Sequence, residues 1–207
     1  GIAPEMRHVL DKFIKSLESF GHQVCPIQLP HTSYSVATYY ILTTAEASSN
    51  LARYDGVQFG LRENADNPIE LTTQTRTQGF GEEVKRRIML GTFVLSSGYY
   101  DAYFENAQRM RRLIQNDFKS AFNQVDILIT PTVPEPAFNS GEKLDDPLTM
   151  YLSDIFTVPM SLAGVPALNI PVGNLESGFP VCVQAVGNFF HENDLFDFAH
   201  NLNIVKN

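Results

Sequence analysis

The sequence has few features of secreted, metal-binding or membrane-spanning proteins. Its two cysteines, Cys25 and Cys182, lie far apart and belong to no Cys-x-x-Cys or Cys/His cluster. Neither a disulfide framework nor a zinc site is therefore indicated, and we expect two buried, reduced thiols. The five histidines also lack metal-ligand spacing. No apolar run reaches membrane-spanning length, and the first residues resemble neither a signal peptide nor a transit peptide.

Basic side chains are scarce relative to acidic ones, and the formal net charge is −8. Such a surface is a poor match for a phosphate backbone, so any nucleic acid would be held by a partner. With 207 residues and 43% hydrophobic content, the chain can build one sizeable core or a large piece of a bigger domain.

The order of predicted elements is typical of an α/β fold. Apolar residues at helical spacing predict a helix over residues 4–20 that ends at Gly21, followed by a short strand at 23–29. A second helix is predicted over 36–53, with Asp55-Gly56 as its stop signal. The polar stretch 62–77 is interpreted as a surface segment.

The second half of the chain continues this alternation. After a break at Gly98, the helical pattern resumes from Tyr99 and leads to a short apolar run with β-branched residues. Asp146-Pro147 is typical of a helix start, with the aspartate as N-cap. Strands are predicted at 125–130, 167–172 and 181–186, and a closing helix at 194–204.

Arg87 lies within the apolar face of a predicted helix that begins after Gly79. That face is formed by Val84, Ile88, Leu90, Gly91, Val94 and Leu95. A guanidinium on a buried face needs a carboxylate or an equally strong acceptor, which could be a ligand. The alternative is an ordinary helix-surface ion pair, Glu83 with Arg87 and Glu82 with Arg86, each separated by four residues. Periodicity alone favours the ion pair.

Several long strings of the chain resemble the amidase-signature family, and in particular the amidase-like subunit of tRNA-dependent amidotransferases. They are residues 39–60, 78–104, 126–132, 146–173 and 178–187. The resemblance implies an α/β fold in which a mixed β-sheet is enclosed by helices. It also implies that residues 1–207 are the C-terminal portion of a single amidase domain, without an internal boundary.

The resemblance implies a reaction shared between subunits. Glutamine is hydrolysed, and its ammonia converts Glu-tRNA(Gln) or Asp-tRNA(Asn) to Gln-tRNA(Gln) or Asn-tRNA(Asn). A B subunit is expected to bind the misacylated tRNA, ATP and magnesium, a C subunit to brace the complex, and this chain to hold no cofactor or metal. The expected location is the bacterial cytosol, with mitochondrion and plastid as alternatives and no membrane association.

The family's catalytic signature does not occur here. Its lysine and two serines lie in a glycine- and serine-rich motif, whereas this chain has no Gly-Gly dipeptide. Ser48-Ser49 and Ser96-Ser97 lie within helical patterns and are interpreted as structural. We therefore expect the catalytic residues upstream of Gly1 and no glutaminase activity from this chain alone.

Substrate-binding residues, by contrast, can be carried over from the family pattern. Arg87 is placed to receive the α-carboxylate of glutamine, Asp154 its α-ammonium, and Tyr39 lines the same pocket. Two alternatives stay open: an amidase-signature hydrolase of simple amides that uses no tRNA, and a short, non-catalytic homologue that acts as a scaffold.

Overall fold

The computed structural model describes residues 1–142 and 147–205. The chain forms two compact units: unit 1 comprises Gly1–Val36 and Arg111–Asn207, and unit 2 comprises Ala37–Met110. Helix α5, Asn106–Ala121, runs through the second division point. No proline- or glycine-rich linker marks that point, because a continuous helix occupies it. That the chain is part of a single amidase domain stays a prediction.

Unit 1 contains a three-stranded sheet in the order β1-β3-β2. Strands β1 (Ile127–Pro131) and β2 (Ala167–Asn174) both pair antiparallel with the central strand β3 (Pro180–Gly187). The α/β class is confirmed. A mixed sheet was implied, whereas both pairings among the described residues are antiparallel. Strands β1 and β2 run in the same direction but are separated by β3.

The β2–β3 hairpin matches its prediction closely. Its turn contains Gly178 at φ +88°, a backbone conformation that glycine adopts without steric cost. The register shifts between Pro171 and Gly173, which marks a bulge in β2. Slipping the pairing by one residue would turn Val181, Val183 and Ala185, all buried, to the opposite face of the sheet.

Helices α1 (Pro4–Ser19) and α8 (Glu192–Val205) pack against one face of the sheet. The predicted apolar stripe of α1 is confirmed, since Met6 and Leu17 are almost completely buried. Gly21, at φ +90°, follows the helix as predicted. The buried cluster on this face consists of Met6, Leu10, Phe13, Leu17, Ile170, Val181, Val183, Ala185, Leu195 and Leu202.

Two predictions for unit 1 were wrong. Residues 23–29 lie in an irregular segment rather than a strand, because no described strand pairs with them. Cys25 is consequently exposed, and Cys182 is only partly buried, which corrects the expectation of two buried thiols. A 3₁₀ turn at Thr32–Tyr34 precedes the next helix.

Two short helices lead from β1 to β2. Helix α6, Pro147–Leu152, starts where proline was predicted in the first turn, whereas its proposed N-cap Asp146 lies outside the described residues. Helix α7, Val158–Ala163, was not predicted, because Pro159 and Gly164 are typical of turns rather than of a helix. Pro159 occupies its first turn, where a missing N–H costs nothing.

Unit 2 is helical and contains most of α2 (Ser35–Leu51), α3 (Pro68–Gly79) and α4 (Glu82–Val94). Helix α3 replaces part of the predicted surface segment. The Asn67 side chain accepts a hydrogen bond from Glu70 N at 2.9 Å, and Pro68 is the first helical residue. Asparagine as N-cap followed by proline is a helix start, although the segment lacks a wide apolar face.

Helix α4 ends before Gly98, which has φ +87°, and a π-helical segment, Tyr100–Glu105, leads into α5. The predicted break and resumption are confirmed. The apolar face of α4 is narrower than predicted, since Leu90 and Leu95 are exposed. Leu90 lies at the edge of the face, and Leu95 follows the last helical residue. Among the described residues, no helix is long and apolar enough to cross a membrane.

Candidate functional site

Arg87 lies on α4, in unit 2, where neighbouring side chains restrain its guanidinium. Glu82 and Glu83 occupy the first turn of α4, where carboxylates interact favourably with the helix dipole. One turn later, Arg87 Nε donates a hydrogen bond of 2.9 Å to Glu83 Oε1, and 30% of the Arg87 side chain remains exposed. The predicted Glu83–Arg87 ion pair is therefore present. It restrains the guanidinium while leaving part of it accessible.

Two tyrosines of α2 complete the surroundings of Arg87. The guanidinium carbon lies 5.5 Å from the centre of the Tyr40 ring, within the range of a cation–π interaction. Tyr39 meets Tyr40 edge to face, with ring centres 5.3 Å apart and an interplanar angle of 88°. Both tyrosines are partly buried. Arg87 and Tyr39, two of the three predicted substrate-binding residues, thus belong to one cluster.

The electrostatics of this cluster keep Arg87 charged. Burial lowers the pKa of Arg87. Hydrogen bonds with the Glu83 and Tyr39 side chains outweigh this effect, so the net shift of the pKa is upward. The guanidinium is therefore a permanent positive charge in this setting. A half-buried arginine of this kind can bind a carboxylate through parallel charge-assisted hydrogen bonds.

The neighbouring basic residues, Lys85 and Arg86, form ion pairs on the surface of α4. Arg86 forms an ion pair with Glu83, and Lys85 Nζ lies 3.1 Å from Glu82 Oε1. The prediction of a Glu82–Arg86 pair was wrong, because Arg86 pairs with Glu83, three residues earlier, rather than with Glu82. Arg86 is exposed. The two adjacent arginines therefore have different environments.

A close contact between α2 and α4 sets the position of these side chains. A Cβ atom built on Gly91 would lie 1.9 Å from the carbonyl oxygen of Thr44 and 2.7 Å from Ser48 Cβ. Only glycine permits this approach. Beside it, Ser48 Oγ and Thr92 Oγ1 are 2.9 Å apart, within hydrogen-bonding distance. The contact lies one turn of α4 beyond Arg87, and it holds the tyrosine-bearing helix against α4.

Asp154 lies in unit 1, in the turn between α6 and α7. Its backbone carbonyl accepts hydrogen bonds of 3.0 Å from both Thr157 N and Val158 N. Its side chain is exposed. Among residues 1–142 and 147–205, no hydrogen bond or ion pair is formed by its carboxylate. An exposed carboxylate on a hydrogen-bonded turn is suited to an ammonium group.

The predicted residues are thus distributed between the two units: Arg87 and Tyr39 in unit 2, Asp154 in unit 1. Sequence reasoning missed Tyr40, whose ring, rather than that of Tyr39, lies against the guanidinium. It also missed Gln184, a buried polar residue of β3. An interrupted apolar pattern in a strand was the available signal for Gln184, whereas the sequence offered no reason to prefer Tyr40 over Tyr39.

The serine pairs lie in helical and turn segments of unit 2. Ser48 and Ser49 lie within α2, as expected, whereas Ser96 and Ser97 lie in the turn after α4 rather than in a helix. Within residues 1–142 and 147–205, no group of three or more histidine, cysteine, aspartate or glutamate side chains could hold a metal ion.

Comparison with known proteins identifies the relatives of this chain. The Amidase family model matches residues 1–196. The A subunit of glutamyl-tRNA(Gln) amidotransferase from Thermodesulfovibrio yellowstonii is 55% identical over 200 residues, which cover 97% of this chain and 41% of the relative. The corresponding protein of Geobacter metallireducens is 53% identical over 201 residues, with the same coverage.

Solved structures agree with these sequence relatives. The crystal structure of the glutamyl-tRNA(Gln) amidotransferase A subunit from Thermotoga maritima matches with a TM-score of 0.63 and 40% identity, over 92% of this chain and 36% of that one. An amidase crystal structure matches with a TM-score of 0.75 at 20% identity, over 98% of this chain and 42% of that one, and supports the fold alone. The chain spans about two-fifths of the length of its curated relatives. It belongs to the amidase family.

Proposed function

We propose that this chain is the glutamine-binding portion of the amidase-like subunit of a glutamine-dependent tRNA amidotransferase. The family membership and the 55% identity to the A subunit of an amidotransferase over 97% of the chain support this reading. The observation that carries it is Arg87, a half-buried cation restrained by Glu83 and by the Tyr40 ring. Such a group is suited to the carboxylate of an amino acid rather than to a simple amide.

Arg87 would receive the α-carboxylate of glutamine. Its planar guanidinium matches a carboxylate through two parallel hydrogen bonds, a geometry that the ammonium group of lysine does not reproduce. The contact with Glu83 Oε1 fixes the plane of the guanidinium before the substrate arrives. Tyr39 would line the pocket beside it. Preorganisation of this kind improves affinity because less side-chain entropy is lost on binding.

Asp154 would receive the α-ammonium of glutamine. The hydrogen bonds from Thr157 N and Val158 N restrain the backbone of its turn, whereas its carboxylate is exposed. A carboxylate is negatively charged and accepts hydrogen bonds, so it interacts more strongly with an ammonium than with an uncharged donor. An arginine and an aspartate supply the two opposite charges that an amino-acid zwitterion requires.

Catalysis would need parts outside this chain. The proposal places the lysine and two serines upstream of Gly1, so this chain alone would not hydrolyse glutamine. A B subunit would bind misacylated tRNA, ATP and magnesium, and a C subunit would stabilise the assembly. Because the named relatives are bacterial, the proposal places the complex in the bacterial cytosol.

The test uses the full-length protein purified together with B and C subunits. We expect glutamine-dependent amidation of Glu-tRNA(Gln) or Asp-tRNA(Asn) in the presence of ATP and magnesium. Asp154→Asn should raise the KM for glutamine about tenfold or more, because a charge-assisted hydrogen bond is lost, and should leave amidation with free ammonia unchanged.

Asp11→Asn is the matched control, since Asp11 is an exposed aspartate of α1 in the same unit. It should leave both reactions unchanged. A full-length protein that hydrolyses simple amides as readily as glutamine, and that does not associate with the B subunit, would contradict the proposal. So would an unchanged glutamine KM in Asp154→Asn.

A further inference from the structure

Gln184 is a buried polar side chain in the central strand of the sheet. It is 6% exposed, although its neighbours Val183 and Ala185 belong to the apolar cluster under α1 and α8. Because side chains alternate along a strand, Gln184 points to the opposite face of the sheet. There its Nε2 donates a hydrogen bond of 2.8 Å to the carbonyl oxygen of Phe156.

Phe156 lies two residues after Asp154, in the same turn. This turn is tied together by local bonds: Thr157 N and Val158 N donate to the carbonyl oxygen of Asp154, and Thr157 Oγ1 donates to the same oxygen at 3.1 Å. Local bonds fix the shape of the turn but not its place relative to the sheet. The bond from Gln184, which lies 28 residues away in sequence, supplies an anchor to β3.

We infer that Gln184 is a positioning residue that holds the turn bearing Asp154 and so sets the affinity for the α-ammonium of glutamine, an inference that rests on the proposed function. Strand β3 is a firm attachment point, because it is paired on both sides. A buried carbonyl that loses its hydrogen-bond donor costs free energy until it bonds to water or to another donor. Removing the Gln184 amide would therefore move the backbone of the turn, and the Asp154 carboxylate with it.

The experiment replaces Gln184 in the full-length protein, purified as the complete complex. Gln184→Met keeps the length of the side chain but removes the donor. We expect the KM for glutamine to rise about tenfold, while kcat for glutamine and the rate of amidation with free ammonia stay near the wild-type values. A merely structural role would lower both rates together with the amount of folded protein.

Gln115→Met is the matched control. The Gln115 amide donates a bond of 3.0 Å to the carbonyl oxygen of Ala163, the last residue of α7. It therefore makes the same kind of bond in the same unit, but to a carbonyl at the far end of α7, outside the turn that bears Asp154. We expect it to leave the glutamine KM unchanged. An equal rise in KM in both variants would overturn the inference.

Two further variants, Asp154→Asn and Gln184→Asn, distinguish a failure of this inference from a failure of the proposed function. If Asp154→Asn leaves the KM unchanged, the proposed role of Asp154 fails; if Asp154→Asn raises it and Gln184→Met does not, only the present inference fails. Should Gln184→Met not fold, Gln184→Asn serves instead, because it stays polar but is one methylene too short to reach Phe156. A folded Gln184→Asn complex with wild-type KM would overturn the inference.

Discussion

Units 1 and 2 bury different kinds of atoms. In unit 1, large apolar side chains lie on the sheet and on α5, and Phe118 and Ile114 are completely buried. Of the described apolar residues that are buried, only four lie in unit 2: Leu42, Ala45, Val94 and Ala107. Unit 2 instead buries hydroxyls, including those of Thr44 and Thr75, and brings α2 and α4 together at Gly91.

This difference gives two ways of placing a residue that we propose to bind glutamine. Asp154 lies on a turn that is hydrogen-bonded to Gln184 of the sheet. Arg87 lies on α4. This helix can approach α2 closely because Gly91 has no side chain. Unit 1 should therefore be most sensitive to loss of apolar volume, and unit 2 to added volume and to lost hydrogen bonds.

Phe118→Ala should have the largest effect on stability. The ring is 0% exposed, so its removal leaves a cavity and costs about 3–5 kcal/mol in the free energy of unfolding of the full-length protein. Denaturant titration measures this change. Leu113→Ala is the control on the same helix, because Leu113 is 40% exposed, and it should cost no more than about 0.5 kcal/mol.

Gly91→Ala should cost about 3 kcal/mol, because the new Cβ overlaps the Thr44 carbonyl and the helices must separate. Hydrogen exchange would locate the effect in residues 37–110. Gly81→Ala is the control, since a Cβ on Gly81 meets nothing within 4 Å. Equal stability of the two variants would show that the contact between α2 and α4 is looser than described.

Thr75→Val removes a hydroxyl from the interior of unit 2. Thr75 is 3% exposed, and its Oγ1 accepts a hydrogen bond of 3.2 Å from Glu63 N. Valine has a similar shape but leaves that N–H unpaired, so we expect a loss of about 1.5 kcal/mol. Denaturant titration of the full-length protein tests this, and a neutral result would show that water replaces the hydroxyl at no cost.

Ser35→Ala should have the smallest effect and the opposite sign. Ser35 is 0% exposed, and within residues 1–142 and 147–205 its hydroxyl has no hydrogen-bond partner. Alanine removes an unsatisfied polar atom from unit 1 and suits a helical position, so stability should rise by up to about 1 kcal/mol. A clear loss of stability in the same titration would mean that the hydroxyl is satisfied after all.

Much of the fold could be predicted from local patterns. Helix α1 and the β2–β3 hairpin were placed correctly because apolar periodicity and the turn glycine Gly178 agreed with each other. The strand at 23–29 was wrong because an extended apolar segment becomes a strand only with a partner, which local sequence does not specify. Helix α3 was missed because the polar stretch 62–77, in which Pro68 is the first helical residue, was interpreted as a surface segment.

The candidate site was only partly accessible to the same reasoning. The Glu83–Arg87 pair follows from spacing along one helix. The ring of Tyr40 against Arg87 depends on how α2 and α4 pack, and the bond from Gln184 to Phe156 on how a turn meets a strand. Spacing within one element can be predicted from sequence, whereas contacts between elements require the packing itself.

The most direct test of the proposed glutamine site compares Arg87→Lys with Arg86→Lys in the complete amidotransferase complex. The two arginines are adjacent on α4, both pair with Glu83, and only Arg87 is half-buried against Tyr40. We predict that Arg87→Lys raises the KM for glutamine about tenfold or more and preserves amidation with free ammonia, while Arg86→Lys changes neither. An unchanged glutamine KM in Arg87→Lys would contradict the assignment.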